Sequence, residues 1–212
     1  LVAYVLGPLP SGGLTLTPSG AVTFTWTYSA AGAGTAMFTG AANGVTCGGT
    51  AVNASANAGT AIQAAGFLAA SLRTFPSPRN VGQAFLVTLT VTNTGSAAVD
   101  GFSVAAFRLA PSGVASFSAG PSPALPGTLP GGASVTFTWT YTGFSPGTVV
   151  LSTTPSGTDA NSGKVVRVLV SSNPEVIQSP AVLTVTGKAV PVTVPCVGEP
   201  FLLVVTVSNT GQ

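Results

Sequence analysis

Side chains that could carry chemistry are few in this chain and lie far apart. The 212 residues include no histidine, so neither a Ser-His-Asp triad nor a Cys-His pair can be assembled. The acidic residues are too dispersed to predict an acid-base pair: Asp100, Asp159, Glu175 and Glu199. We therefore expect no enzymatic activity, no catalytic residue and no cofactor.

One short segment has the outline of a calcium-binding loop. It runs from Asp159 to Gly163 and reads DANSG. A single carboxylate makes a poor cage for a hard cation, which takes about six to eight oxygen ligands. Asp, Asn, Ser and Gly are also typical turn residues. We therefore predict a turn here and no metal site.

Charge is scarce and unevenly placed. The chain has 6 Lys and Arg against 4 Asp and Glu, a net charge of +2, and positions 1–72 carry no charged side chain. This is too little for binding nucleic acid, and no apolar run is long enough for membrane insertion. An uncharged surface favours association. It could equally be covered by glycan, with Asn53 in a glycosylation sequon as the candidate site, or be a merely uncharged bacterial surface.

The chain contains a repeat whose two ends are out of phase with its middle. The segment VTFTWTY occurs twice, with Trp26 corresponding to Trp139, 113 residues further on. The segments TLTVTNTG and VVTVSNTG also match, with Asn93 on Asn209 at an offset of 116 residues. Recurrence at a fixed period indicates a modular array. The middle thus holds one whole unit, while the front holds the back of a unit and the tail holds the front of one.

The first residues of the chain are predicted to match a later part of the whole unit. Residues 1–8 align with 104–111, which puts Tyr4 on Phe107 and Pro8 on Pro111. On this alignment, a tail joined to the head of another copy rebuilds a unit that lacks only part of one turn and a stretch like SGVASFSAG. We expect such a chain to complete both ends by adding subunits head to tail.

Strand positions follow from the alternation of polar residues with β-branched or aromatic ones. Val135, Phe137, Trp139 and Tyr141 share one face, because successive side chains point to opposite sides of a sheet. We assign Trp139, and by the repeat Trp26, to a core. In the middle unit we predict strands near 66–73, 84–93, 101–109, 114–118, 132–142, 147–154 and 163–171. About seven short strands in roughly 100 residues predict an immunoglobulin-like sandwich.

The predicted fold class is all-β, with tandem immunoglobulin-like β-sandwiches, one complete and one split between the two ends of the chain. Residues 1–62 are the C-terminal part of a sandwich that another copy completes, 66–174 are a complete sandwich, and 180–212 are the N-terminal strands of the next. Because no initiator Met, signal peptide or sorting signal is present, we expect a processed subunit or an internal fragment. The sequence leaves open a discrete subunit or a window on a giant repeat protein.

Three segments carry a resemblance to a known group of proteins: VGQAFLVTLTVTNTG, GGASVTFTWTY and GTVVLSTTPSGTDANSG. Their succession resembles the bacterial cell-adhesion-related and similar immunoglobulin-like tandem repeats of large extracellular surface or filament proteins. The resemblance covers nearly the whole chain. It implies an extracellular or cell-surface location and a repetitive, stalk-like or fibrous protein, and says little about a ligand.

Both cysteines fall in the split unit. By the repeat, Cys196 takes the position of Asn80, and Cys47 lies near the position of Ala160. In a composite sandwich the two could come within the range of about 4.4–6.8 Å between Cα atoms that a disulfide requires. We therefore predict an inter-subunit disulfide between Cys47 and Cys196. The alternative is two unrelated buried thiols.

The strands that flank the break are predicted to be the polymerisation strands. They present the side chains of Val2, Tyr4, Leu6, Phe201, Leu203, Val205 and Val207. The opening strand is apolar on both faces, which is typical of strands covered on both sides, and an unpaired edge offers N–H and C=O groups to a partner strand.

The sequence therefore predicts a structural subunit or repeat section of an extracellular bacterial filament. In it, the C-terminal strands of one copy complete the N-terminal half-domain of the next, so the partner is another copy or an adjoining repeat. The alternative is an adhesin or glycan-binding surface array in which the sandwiches are spacers.

Overall fold

The computed structural model describes residues 1–190, 192–193 and 196–211. Pro191, Val194, Pro195 and Gln212, which belong to the predicted segment 180–212, lie outside the described residues. The described residues form strands and turns and contain no helix. The predicted all-β class is confirmed.

The chain divides into two compact units. The first comprises Leu1–Ala65 with Gly95–Ala97, and the second comprises Gly66–Thr94 with Ala98–Gln212. The predicted limits of 1–62, 66–174 and 180–212 are not tested by this division and stay predictions.

The first unit consists of two antiparallel strand pairs. Its strands are β1 (Val2–Leu9), β2 (Thr25–Ala30), β3 (Gly34–Val45) and β4 (Ala51–Ile62). Strand β1 pairs with β2, and β3 pairs with β4 along their whole lengths. Within residues 1–62, Ala36 is the one buried residue. The strands of this unit therefore form without closing a core.

The stretch from Leu68 to Gln178, which belongs mostly to the second unit, is called the middle unit. It holds many short strands. They are β5 (Leu68–Phe75), β6 (Arg79–Asn80), β7 (Ala84–Asn93), β8 (Val99–Val104), β9 (Arg108–Ala110), β10 (Ala115–Ser122), β11 (Thr128–Leu129), β12 (Ser134–Gly143), β13 (Gly147–Thr153), β14 (Pro155–Asp159), β15 (Val165–Arg167), β16 (Val170–Ser171) and β17 (Glu175–Gln178). The predicted strands near 101–109 and 163–171 are each two shorter strands.

The strands of the middle unit form two layers. One layer is a four-stranded antiparallel sheet in the order β10-β12-β7-β5. The other is built from β11-β8-β14-β15 and from β16-β13-β17-β6, with β9 paired to β13. All of these pairs are antiparallel except β17 with β6. The middle unit is therefore a β-sandwich of the predicted immunoglobulin-like kind.

A single apolar core lies between the two layers. It is formed by the inward faces of the central strands, with Phe85 and Val87 from β7, Phe137 and Trp139 from β12, and Leu151 from β13. The predicted core position of Trp139 is confirmed. The outward faces carry hydroxyls instead, and those of Thr90 and Thr136 are 2.9 Å apart across the strands. Alternation in the sequence thus becomes one buried face and one polar face.

The tail forms a hairpin of two further strands. Strand β18 (Leu183–Val190) pairs antiparallel with β19 (Leu202–Asn209), from Leu183 opposite Asn209 to Val190 opposite Leu202. Every residue of β19 is exposed, on both faces of the strand.

Candidate functional site

The head ribbon β1–β2 repeats the edge pair β10–β12 of the middle sheet. Tyr4 lies opposite Tyr28, as Phe117 lies opposite Tyr141, and the register shifts fall at equivalent places in both pairs. The rings of Tyr4 and Tyr28 are 5.9 Å apart at 76°. Those of Phe117 and Tyr141 are 5.8 Å apart at 79°. The head is therefore the β10–β12 half of a sheet.

A glycine in each ribbon shows why the sequence folds this way. Gly7 and Gly120 have φ of 129° and 121°, a region that favours glycine. An added Cβ would lie 2.8 Å from the Cα of Trp26 at Gly7, and 2.9 Å from the Cα of Trp139 at Gly120. Only glycine allows the strand to cross so close to the tryptophan backbone.

This register corrects the predicted alignment of the first residues. Residues 1–8 match 114–121, at the same offset of 113 residues that relates Trp26 to Trp139, and do not match 104–111. Short apolar segments that end in Pro occur in both places, so the sequence pattern did not distinguish them. Neither terminal segment then contains a counterpart of residues 97–113, which hold β8 and β9.

The tail hairpin repeats the other half of the middle sheet. Leu68 lies opposite Asn93 and Phe75 opposite Leu86, and the eight pairs of β18–β19 run in the same register. The similarity extends to the side chain that ties the hairpin at its open end. Oδ1 of Asn93 accepts a hydrogen bond from the N–H of Phe67 at 3.1 Å. Oδ1 of Asn209 accepts one from the N–H of Val182 at 3.1 Å.

The middle sheet, in the order β10-β12-β7-β5, is thus present a second time as two separate halves. The head supplies the equivalents of β10 and β12, and the tail supplies those of β7 and β5. The break falls between the two central strands, so the open edges belong to β2 and β19. The predicted residues Val2, Tyr4 and Leu6 lie on β1, one edge of which is paired with β2. Their assignment to a polymerisation strand is not tested by this and stays a prediction.

Side chains at the open edges are core residues that have no core in one copy. Phe201 is 59% exposed and Leu203 69%, whereas their counterparts Phe85 and Val87 are 1% and 0% exposed. The predicted residues Val205 and Val207 share this face and are also exposed. A row of four exposed apolar side chains is typical of an interaction surface.

The head shows the same exposure. Trp26 is 47% exposed, whereas Trp139 is 6% exposed. Trp26 is therefore not buried in a single copy, and its position in the core of a completed sandwich stays a prediction. Trp26 and Phe24 line an apolar cleft of about 680 Å³ in the first unit, together with Leu14 and Leu16. The cleft lies where the closed sandwich has its core.

Both cysteines are exposed free thiols in one copy. The pairing of Cys47 with Cys196 between copies is not tested by this and stays a prediction. The middle unit offers a physical argument against it. Ala160, the counterpart of Cys47, bonds to Ala98 near the end of the sandwich where Asp159 holds Gly66.

Asn80, the counterpart of Cys196, lies at the opposite end of that sandwich. Gly82, two residues further along, donates a backbone hydrogen bond to the carbonyl of Gly143, the last residue of β12. Eight strand residues between the ends span roughly 26 Å. This is well beyond the reach of a disulfide within one sandwich.

The predicted turn at 159–163 is held by its aspartate. The hydroxyl and the N–H of Ser162 donate to Oδ1 of Asp159 at 2.6 and 2.7 Å, and the N–H of Gly66 donates to Oδ2 at 2.6 Å. These hydrogen bonds, that of the Ser162 hydroxyl first, lower the pKa of Asp159 to about 2. Among the described residues, no group of three or more His, Cys, Asp or Glu could hold a metal ion.

Glu175 is a buried carboxyl that sequence reasoning did not single out. It is the first residue of β17, and in the described part of the chain neither of its oxygens has a hydrogen-bond partner. Burial raises the pKa of this carboxyl, and the nearby hydroxyls of Thr74 and Ser77, followed by the charge of Arg79, oppose the shift only in part. Lying opposite Val149 inside a sandwich, Glu175 belongs to the packing of the middle unit.

An aromatic cluster in the middle unit was also missed. Phe107, in the loop before β9, lies 4.8 Å from the ring of Trp139 and 6.1 Å from that of Tyr141. Together with Phe117 these rings line a pocket of about 390 Å³. Phe107 is distant in sequence from Trp139 and Tyr141, and the fold brings these three rings together.

The candidate glycosylation site is accessible. Asn53 lies on β4 opposite Asn43 and is exposed. In the described part of the chain, no helix has the length and apolar character needed to cross a membrane.

Comparison with known proteins gives a distant likeness in structure. No protein-family model and no curated protein matches the chain. One similar solved structure is native alpha-2-macroglobulin from Escherichia coli, spanning the residues from domain MG7 to the C-terminus. It matches at 17% identity and a TM-score of 0.42, over 58% of this chain and 19% of that chain. The present chain therefore spans about a fifth of that structure.

Proposed function

We propose that this protein is a structural subunit or repeat section of an extracellular bacterial filament, assembled head to tail. The observation that carries the proposal is the divided sheet: one copy presents the β10–β12 half at its head and the β7–β5 half at its tail. A head and a tail from different copies together have the strands of the sheet that the middle unit closes. No catalytic or cofactor chemistry is part of this proposal.

The energetics favour pairing of the open halves. Burial of one large apolar side chain contributes about 1.5–3 kcal/mol. The apolar row of Phe201, Leu203, Val205 and Val207, whose side chains are already partly covered, therefore contributes at most about 6–12 kcal/mol. The cost of association is about 4–15 kcal/mol. The aromatic residues of β2 and the strand hydrogen bonds supply the surplus. The lack of charge in residues 1–72 removes repulsion between copies.

Truncation tests the proposal. The purified full chain is expected to form oligomers in multiples of 20.6 kDa, seen by light scattering and electron microscopy. Deletion of residues 197–212, which removes β19, is expected to leave monomers whose middle unit still unfolds cooperatively. Filaments that persist after the deletion, or a full chain that stays monomeric at high concentration, would contradict the assembly.

The two forms of the proposal differ in covalent continuity. A repeat section would receive its missing strands, including the equivalents of β8 and β9, from adjoining repeats of one long chain. A discrete subunit would leave the edge of β3 open, because β8 and β9 have no counterpart in either terminal segment. The mass of the denatured, reduced natural protein separates them: 20.6 kDa for a subunit and a far larger value for a repeat section.

An adhesin or glycan-binding array is the second candidate function, and the aromatic pocket favours it. Its rings could stack on a sugar, and Phe117 is exposed. A pull-down of the full chain on immobilised glycans, compared with the Phe117→Ala variant, tests this function. Retention of the native chain and loss of the variant would support a binding role, and no retention of either would reject it.

A further inference from the structure

We infer that β19 of one copy pairs antiparallel with β2 of the next in one defined register, in which Trp26 lies opposite Leu203. The inference rests on the proposed head-to-tail assembly and deepens it by fixing which residues meet. The middle unit supplies the register, because β12 and β7 are the strands to which β2 and β19 correspond. There, Trp139 lies opposite Val87 and Thr138 opposite Thr88.

The register follows from the two offsets. Subtracting 113 residues from β12 positions and adding 116 to β7 positions converts each observed pair into a pair between copies. Thr25 then lies opposite Val204, and Phe24 opposite Val205. Trp26, Phe24, Leu203 and Val205 fall on the core side, where the cleft of the first unit lies open. A shift by one residue would turn the apolar row of β19 away from that cleft.

A second contact supports the same register. In the middle unit, Nδ2 of Asn93 donates to the carbonyl of Leu129 at 3.1 Å. The counterparts of these two residues are Asn209 in the tail and Leu16 in the head. The backbone turn after Leu16 is already in place, since the N–H of Gly20 bonds to the carbonyl of Thr17 at 2.8 Å, as Ala133 bonds to Pro130 at 3.1 Å. Asn209 is thus positioned to bond the head of the next copy.

Disulfide trapping between two different chains tests the register. Both chains carry Cys47→Ser and Cys196→Ser, one chain also carries Thr25→Cys, and the other, size-tagged, carries Val204→Cys. Because each chain has one thiol, a bond between the two chains can form only across copies. Directly opposite residues have Cα atoms about 4.5–5.5 Å apart, which suits a disulfide. We expect rapid formation of the mixed dimer on oxidation.

The control replaces Thr25→Cys by Thr23→Cys, two residues along the same face. A diagonal neighbour is about 7–8 Å away, and the mixed dimer is expected to fall about tenfold. Equal trapping of both pairs, or preferential trapping of the shifted pair, would overturn the register. Light scattering on the same samples separates the two proposals: oligomers without trapping reject the register alone, and the absence of oligomers rejects the assembly.

The Asn209→Asp variant tests the second contact. It keeps the acceptor for the N–H of Val182 and removes the donor for Leu16, so we expect association to weaken about three- to tenfold. The hairpin register, read from amide chemical shifts of the monomer, should stay unchanged. Unaltered association would overturn the role assigned to Asn209.

Discussion

The middle unit and the two terminal segments contain corresponding strands, but only the middle unit encloses them in a core. In the middle, β7 lies beside β12 and the apolar faces of both strands are buried. At the ends, β2 and β19 keep the local pairing of their counterparts, while the same faces stay in water. Each half-sheet therefore pairs without a closed core, and the proposed assembly predicts that a core forms only when both halves meet.

The two buried carboxyl residues of the described chain, Asp159 and Glu175, both lie in the middle unit. Asp159 begins its last hairpin turn, and the equivalent position of the head is Thr46, whose hydroxyl accepts from the N–H of Thr50 at 3.1 Å. Glu175 lies opposite Val149, and the residue opposite the equivalent Ala36 is Thr60. The head thus carries neutral groups at the two positions where the middle unit has the carboxyls of Asp159 and Glu175.

Removal of a central aromatic ring should give the largest difference in stability between the middle unit and the head. Phe137→Ala leaves a cavity in a closed core and is expected to cost about 3–5 kcal/mol. Phe24→Ala, the same change at the open head, should cost the dilute monomer less than about 1.5 kcal/mol, because Phe24 is only partly buried there. Urea unfolding of both variants measures the contrast. Equal losses would mean that the head closes a core within one copy.

A charge on the open face of the tail should affect association without affecting the fold. Leu203→Asp loses the burial of a leucine and places a carboxylate in the interface, so association should weaken roughly 100-fold. Thr206→Asp, on the other face of β19, is the control and should change association much less. Sedimentation equilibrium, or light scattering over a concentration series, measures the association of both variants. Similar effects of the two variants would mean that β19 does not join by its apolar row.

Glu175→Gln should stabilise the middle unit at neutral pH. Burial raises the pKa of Glu175 in the folded state. A raised pKa favours folding below the unfolded value, and this contribution is lost as the pH rises through the folded value. The melting temperature of the variant should therefore exceed that of the native chain at pH 7, with a smaller difference at pH 4. A constant difference across this range would argue against an ionising carboxyl.

Asp159→Asn should have the opposite pH dependence. Hydrogen bonds from Ser162 and Gly66 lower the pKa of Asp159 to about 2. A lowered pKa adds stability above the unfolded value of about 3.9, and this contribution is lost as the pH falls to about 2. The native chain should melt at a higher temperature than the variant at pH 7, and the two should converge near pH 2. Thermal melts followed by circular dichroism would show it.

Much of the fold could be predicted from the sequence because alternation and turn residues are local signals. The central strands β7, β12 and β13 lie close to their predicted positions, since β-branched and aromatic residues there face a core on one side only. The prediction for the first strand was wrong, because it matched residues 1–8 to the region of β9 and the structure matches them to β10. Apolar segments that end in Pro look alike, and the strand register together with the close approach of Gly7 to Trp26 identifies the right counterpart.

The candidate site was harder to predict because it depends on which edges meet. The sequence predicted Leu203 and Phe201 on one joining strand and β1 as the other, whereas the proposed assembly uses β2. Only the strand order β10-β12-β7-β5 shows that β1 is an outer strand. The predicted pairing of Cys47 with Cys196 stays a prediction for the same reason: a repeat position specifies a turn and leaves open at which end of the sandwich that turn lies.

Amide hydrogen exchange read by mass spectrometry over a concentration series tests the central claim most directly. Peptides of β7 and β12 should be protected at every concentration, because they are central strands of a closed sheet. Peptides of β2 and β19 should exchange quickly in dilute solution and become protected together as copies associate. Protection of β19 in the dilute monomer, or continued fast exchange of β2 and β19 in the assembled protein, would contradict the account.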